Sequence, residues 1–110
     1  TLEVLKMAAD RLRREQGIER LFITLSEKGV FLDDGKEAHL IPAHIRKIAD
    51  VSGAGDTVIC IASLALSLGW PSEKIAQLSN LAGGLVCEEV GVVPIQKEKL
   101  FQEATQFNIL

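Results

Sequence analysis

Apolar residues recur at Leu2, Leu5, Ala9 and Leu12 with charged residues between them, and this spacing predicts an amphipathic helix over residues 2–16, closed by Gly17. The period then changes. LFITL (21–25) is a short β-branched and aromatic run of the kind that forms a strand buried on both faces. GVFLDDGKEAHLI reads as a hairpin, with Asp34-Gly35 at its turn because glycine adopts positive φ without a Cβ clash. A strand near 38–42 follows, and Pro42 weakens its ladder. A short strand or extended piece at 45–49 then leads into DVSGAGDT (50–57).

From Ala54 to Leu68 almost every residue is apolar, the pattern of a helix covered all round. Gly69 is a natural stop, and Pro71 can open the next helix, where its missing N–H costs little. A helix over 72–89 places Ile75, Leu78, Leu81, Ala82, Leu85 and Val86 on one side, with Gly83-Gly84 allowing a close contact. GVVPI (91–95) is a loop, and a last helix is expected over 97–107. Repeats and low-complexity runs are absent. At 110 residues the chain is one domain's worth, and the order of elements implies an α/β layer arrangement.

Charge narrows the partners. A net charge of −3 gives no basic stripe for nucleic acid or an anionic membrane, and Arg11, Arg13, Arg14 and Arg20 interleave with Asp10, Glu15 and Glu19 as on a solvated helix face. The run from Val58 to Leu68, broken only by Ser63, is too short to span a bilayer, and no signal peptide is visible. Cys60 and Cys87 lie in apolar helical surroundings without a CxxC or His/Cys cluster, so both are expected to be buried free thiols, in keeping with a reducing cytoplasm. His39 and His44 read as surface or edge-strand residues, Trp70 as packing at a helix end, and Ser63 as bonded back to its own helix.

Residues 50–57 carry the candidate chemistry. Gly53 and Gly55 let the chain turn sharply into a helix beginning near Ala54. The first amides of that helix have no intrahelical partner and carry the positive end of its dipole, which suits a phosphate or another developing anion. Asp56 falls in the same first turn, where a carboxylate is awkward beside an anion unless it takes a proton from an attacking hydroxyl. A plain capped turn explains the same residue types equally well. A P-loop is excluded, because Asp56-Thr57 stands where a Lys-Ser/Thr pair is needed. A dinucleotide fingerprint, and with it an oxidoreductase, is disfavoured by Val58 at the third small position.

DVSGAGDT resembles the second signature of the PfkB (ribokinase-like) carbohydrate kinases, D-T/V-x-G-A-G-D, and FITLSEKGVFL resembles the T-L/R-x-x-x-G element of that family. The extended HLIPAHIRKIADVSGAGD, the apolar helix, a helix containing Asn80 and the EEVGVVPI loop follow in the family's order, so the resemblance covers nearly the whole chain. It implies a C-terminal fragment of a ribokinase-like three-layer α/β/α fold, with residues 1–110 as its nucleotide-binding part. The N-terminal sugar-binding part and lid would lie upstream.

In that family Asp56 would be the catalytic base, and the amides of Gly53, Ala54 and Gly55 the anion hole for the transferring phosphoryl group. Thr24, Ser26, Glu27 and Gly29 would face the ATP phosphates, and Asn80 would line the adenine pocket. Asp50, with the carbonyl of Ser52 and the 88–93 loop, would lie near the monovalent-cation (K+) site found in some members. Mg2+ would bridge the ATP phosphates, largely through water. The implied acceptor is a sugar or sugar phosphate, the location cytoplasmic, and the parent enzyme a homodimer in some members.

Ser26-Glu27-Lys28-Gly29 and NLAGGLVCEEVGVV are most similar to the heptose-phosphate kinase branch. Leu25 departs from the Arg often found there, and Glu88-Glu89 from its Gly-Lys. The fragment alone is expected to be inactive or nearly so. A non-catalytic nucleotide-binding or assembly module of kinase ancestry is the alternative.

Overall fold

The computed structural model describes residues 2–43 and 48–110. Three short strands, β1 (Leu21–Thr24), β2 (Val30–Asp33) and β3 (Ala38–Ile41), form an antiparallel sheet in that order. Leu21 pairs with Asp33 and Thr24 with Val30, while Val30 also pairs with Ile41 and Asp33 with Ala38. With a neighbour on each side, β2 is buried at all four residues. The turn expected at Asp34-Gly35 is present: Asp34 Oδ1 accepts the amides of Lys36 (2.9 Å) and Glu37 (2.8 Å), an Asx-type device that closes the hairpin.

Successive side chains of a strand point to opposite faces. Val30 and Leu32 enter one core cluster with Val58, Ala62, Ala65, Ile75 and Ala76. Asp33 lies near Arg13 instead, with 3.7 Å between Oδ1 and Nε. Arg13 belongs to α1 (Leu2–Gln16), so α1 packs on the second face while α2 (Ala54–Ser67) and α3 (Ser72–Cys87) pack on the first. The result is the three-layer α/β/α arrangement expected. On the far side of α3, Leu78, Leu81, Ala82 and Leu85 meet Leu100 and Ala104 of α4 (Lys97–Gln106), together with Ile109.

The helix boundaries follow local chemistry. Ile18 N–H donates to the Arg13 carbonyl (2.9 Å), and Trp70 N–H to that of Ala65 (3.1 Å), so Gly17 and Gly69 each close a helix by the same capping turn. Pro71 is the extended residue just before α3 rather than its first helical residue, and α3 stops at Cys87, two residues short of the expected end.

Burial departs from expectation in four places. β1 is only half-buried, because it is the edge strand with β2 as its single neighbour among the described residues. α2 is not covered all round: only Val58, Ala62 and Ala65 are buried, while Ile59 (50%), Leu64 (58%), Leu66 (50%) and Leu68 (66%) remain exposed. The enclosed helix is α3, with eleven buried residues that include Ser72, Ser79 and Asn80 as well as its apolar side. Cys60 lies on the uncovered side of α2 and is exposed, and Cys87 is half-buried; both are free thiols. The strand expected at 45–49 and His44 fall mainly outside the described residues, and Ile48 and Ala49 form no strand. Among the described residues no helix is long and apolar enough to cross a membrane.

Core position should dominate the energetics of this chain. Leu81, fully buried between α3 and α4, should cost about 2–5 kcal/mol on truncation to Ala. Leu64→Ala, on the uncovered side of α2, should change stability by about 0.5 kcal/mol or less. Urea denaturation of the two variants of the 110-residue chain measures both.

Candidate functional site

The segment before α2 is hooked onto the end of α3. The N–H groups of Ala49 and Asp50 both donate to the Cys87 carbonyl, at 2.8 and 3.1 Å, where a helix has carbonyls without internal partners. Asp50 then ties the turn to the loop that follows α3. Its Oδ1 accepts the Ser52 hydroxyl (2.7 Å) and the Ser52 amide (2.9 Å), and its Oδ2 accepts the Gly91 amide (2.9 Å). These donors, the Ser52 hydroxyl first, hold the Asp50 carboxyl down to about 2. Cys87, beside it, has its thiol pushed up by burial and by the Asp50 charge.

Gly53 turns the chain into the helix with φ of +75°, a left-handed conformation that disfavours a side chain. A Cβ there would stand 3.1 Å from Val92 Cγ1, so the turn is also packed against the 88–93 loop. Of the first amides, that of Ala54 donates to the Val51 carbonyl (3.2 Å) and that of Thr57 to Gly53 (3.1 Å). Among the described residues the amides of Gly53, Gly55 and Asp56 meet no acceptor. A Cβ on Gly55 would touch nothing within 4 Å, so its backbone is open to approach. Asp56 is exposed in the same turn. Free amides, the positive end of a helix dipole and one carboxylate therefore share a single turn that can receive an anion and accept a proton.

A second group forms around Pro42. Residues 25–29 close on themselves: Leu25 N–H donates to Gly29 (2.8 Å), Lys28 N–H to Leu25 (3.0 Å) and Gly29 N–H to Ser26 (3.1 Å). Gly29 has φ of +101°, and a Cβ on it would collide with the Ile41 carbonyl, so only glycine fits. Asn80 donates from Nδ2 to the Pro42 carbonyl at 2.9 Å and is buried there. Thr24, Ser26 and Glu27 are exposed. The Glu27 carboxyl is held below its usual range by its own backbone amide and by the Ser26 hydroxyl.

The sequence-predicted residues thus fall into two groups: Asp50, Ser52, Gly53, Ala54, Gly55 and Asp56 in one, and Gly29 and Asn80 around Pro42, with Thr24, Ser26 and Glu27 on the turn that Gly29 ends. Helix α3 links them through Asn80, Gly83 and Cys87, which lie on one face at helical spacing. Sequence reasoning named the 88–93 loop but not the Gly91 amide, the Val92 wall, or the carbonyls of Pro42 and Cys87. Backbone groups carry no residue-type signal; only the periodicity 80, 83, 87 could have drawn attention to that face. Among the described residues no cluster of three or more His, Cys, Asp or Glu side chains could hold a metal ion.

A three-layer α/β/α fold with a glycine turn opening a helix beside a carboxylate defines an α/β protein equipped to handle an anion. Residues 2–99 match the pfkB family carbohydrate kinase, and the chain belongs to that family. The bifunctional protein HldE of Syntrophotalea carbinolica is 38% identical over 102 residues, covering 91% of this chain and 21% of that protein. HldE of Chromohalobacter salexigens is 42% identical over 93 residues, covering 84% of this chain and 20% of that protein.

Among solved structures, phosphofructokinase-2 from Escherichia coli in complex with potassium superposes with a TM-score of 0.86 at 16% identity, over 94% of this chain and 34% of that one. A probable sugar kinase from Rhizobium etli CFN 42 gives 0.78 at 26% identity, over 96% of this chain and 31% of that one. The chain therefore spans about a fifth of the length of the curated relatives it matches, and about a third of these solved kinases.

The brace at Asp50 has a defined pH signature. A carboxyl held at about 2 contributes stability that is complete above the ordinary aspartate value of about 4 and is lost as pH falls through about 2. The Gly91 amide should keep its hydrogen-exchange protection from neutral pH to about 4 and lose it toward pH 2. Asp50→Ala should remove that protection at neutral pH.

Proposed function

We propose that this chain is the C-terminal, nucleotide-side part of an ATP-dependent sugar or sugar-phosphate kinase, supplying its catalytic base, its anion hole and part of its ATP site. The observation that carries the reading is Asp56 standing in the first turn of α2 beside the open amides of Gly53 and Gly55. Family membership and a fold shared with kinases about three times as long support it, as does the uncovered apolar side of α2, which fits a part that packs against more protein. The HldE relatives and the Ser26–Gly29 turn favour a heptose-phosphate acceptor. A cytoplasmic location and, for the whole enzyme, a homodimer go with this reading.

The chemistry follows from the two groups. The Asp56 carboxylate takes the proton of the acceptor hydroxyl as its oxygen bonds to the γ-phosphorus, and the bridging P–O bond breaks with its electron pair leaving on ADP. The amides of Gly53 and Gly55 donate to the charge that develops on the transferring oxygens, and that of Ala54 joins them only by releasing Val51. Accepting the proton also relieves the repulsion between Asp56 and the incoming anion. Thr24, Ser26, Glu27 and Gly29 border the phosphates. Asn80, anchored on Pro42, holds the wall of the adenine pocket rather than swinging freely.

The donor set fits the ions unequally. No described cluster of acids would hold Mg2+ directly. Asp50 stays ionised but spends both oxygens on Ser52 and Gly91, so toward a K+ ion it would offer charge and an ordered loop, with backbone carbonyls as ligands. A bound cation there would supply fixed positive charge near the phosphates.

Asp56→Asn in the intact protein tests the reading. Sugar-phosphorylating turnover should fall by about 10²–10⁴-fold. ATP binding, followed by calorimetry, should survive. Turnover at the wild-type rate would remove Asp56 from the role of base.

A further inference from the structure

Asp56 is exposed, and so is its neighbour Gly55, so the Asp56 side chain is not held in place by burial. The first residue of α2 that is buried is Val58, two positions on. Val58 sits on Gly83 of α3. A Cβ built on Gly83 would lie 2.5 Å from Val58 Cγ2, a separation that real side chains do not adopt, and 3.8 Å from the carbonyl oxygen of Ala54. Gly83 is helical, in the middle of α3, and does not have positive φ. The backbone therefore does not call for glycine, and a glycine inside a helix lowers helix stability relative to alanine. What forbids the alanine is the isopropyl group of Val58. A glycine kept at such a position marks a packing requirement.

We propose that Gly83 is a positioning residue for the phosphoryl-transfer site: its bare Cα is the socket into which Val58 seats, and this seat sets the depth and rotation of the first turn of α2. The proposal rests on the kinase reading of that turn. Ala54, whose carbonyl faces the same Cα, and Asp56 lie within the turn that Val58 completes, so any outward shift at Val58 moves the amides of Gly53 and Gly55 and the Asp56 carboxylate together. A displacement of about 1 Å at a reacting group is enough to cost about 100-fold in rate. α3 carries no acid of the site, yet it fixes where the acid stands.

Three variants of the intact protein test this: Gly83→Ala, Val58→Ala and the double variant. In Gly83→Ala the backbone amide resonances of Gly55 and Asp56 should shift, and kcat should fall roughly 10- to 100-fold with KM for both substrates within about threefold. Val58→Ala empties the socket without a clash and should produce the same two effects, so the test survives if Gly83→Ala fails to fold. In the double variant the new methyl group on α3 fills the space left by Val58, and both the resonances and kcat should return toward wild type. Unmoved amide resonances in the single variants, or a double variant as impaired as either single one, would overturn the seating of α2 on Gly83. Shifted resonances with unchanged kcat would overturn the positioning role of Gly83 and leave the seating in place, whereas the kinase reading of the turn stands or falls with Asp56→Asn.

Discussion

The contact on which most of this structure depends is the approach of α2 to α3 at a residue without a side chain. Helices normally stand 8–10 Å apart, a spacing set by the side chains between them. At Gly83 one of those side chains is missing, and the first turn of α2 comes down onto α3. The same face of α3 anchors Pro42 through the Asn80 amide and the segment before α2 through the Cys87 carbonyl. Three points along residues 42–58 are thus indexed to one helix. That helix is the most enclosed in the chain, and a helix buried on most of its surface has little freedom to shift.

Electrostatics complete what packing begins. Among the described residues the turn before α2 exposes amides without acceptors, a costly state unless water or an anion serves them. The turn is kept open by two ties that do not use those amides, the Asp50 carboxylate and the Gly53–Val92 contact. Asp50 can do this because its donors keep it ionised to about pH 2. Asp56 is in the opposite situation. It is exposed, without a tie among the described residues, and so available for proton transfer rather than for structure.

How much of this was legible in the sequence depended on the range of the interaction. Local turn chemistry could be read directly: Gly17, Gly69 and Asp34-Gly35 end or turn the chain where their residue types predict. The hairpin, the helices and an α/β layer arrangement followed from periodicity and turn signals, and the three layers from the family resemblance. The motif at 50–57 drew attention to the helix start that the structure leaves open. Burial differs from expectation in a systematic way. α2 is the more apolar helix and was expected to be enclosed, whereas α3, which contains Ser72, Ser79 and Asn80, is the enclosed one. Hydropathy states what a segment is able to bury, not whether this stretch of chain supplies the cover. Cys60 fails for the same reason, since it shares the uncovered side of α2. Ser79 and Asn80 are compatible with burial because each finds a partner: Ser79 Oγ donates to the Ile75 carbonyl one turn back, and Asn80 Nδ2 to the Pro42 carbonyl, remote in sequence.

That inversion bears on how a glycine-rich turn becomes a site at all. A helix start with free amides is common, and by itself it only offers partial positive charge to whatever arrives. Catalysis asks for more, because preorganised dipoles help only if they do not relax when charge develops. In this chain the first turn of α2 buries no side chain of its own, so the rigidity of that turn has to be supplied from outside it. It comes from the neighbouring helix, through one valine seated on one bare Cα, and from a loop braced by one ionised aspartate. The residues that would touch the phosphate and those that hold them still are therefore different residues on different elements. A motif search finds the former because they are contiguous. The latter become visible only when the helices are packed.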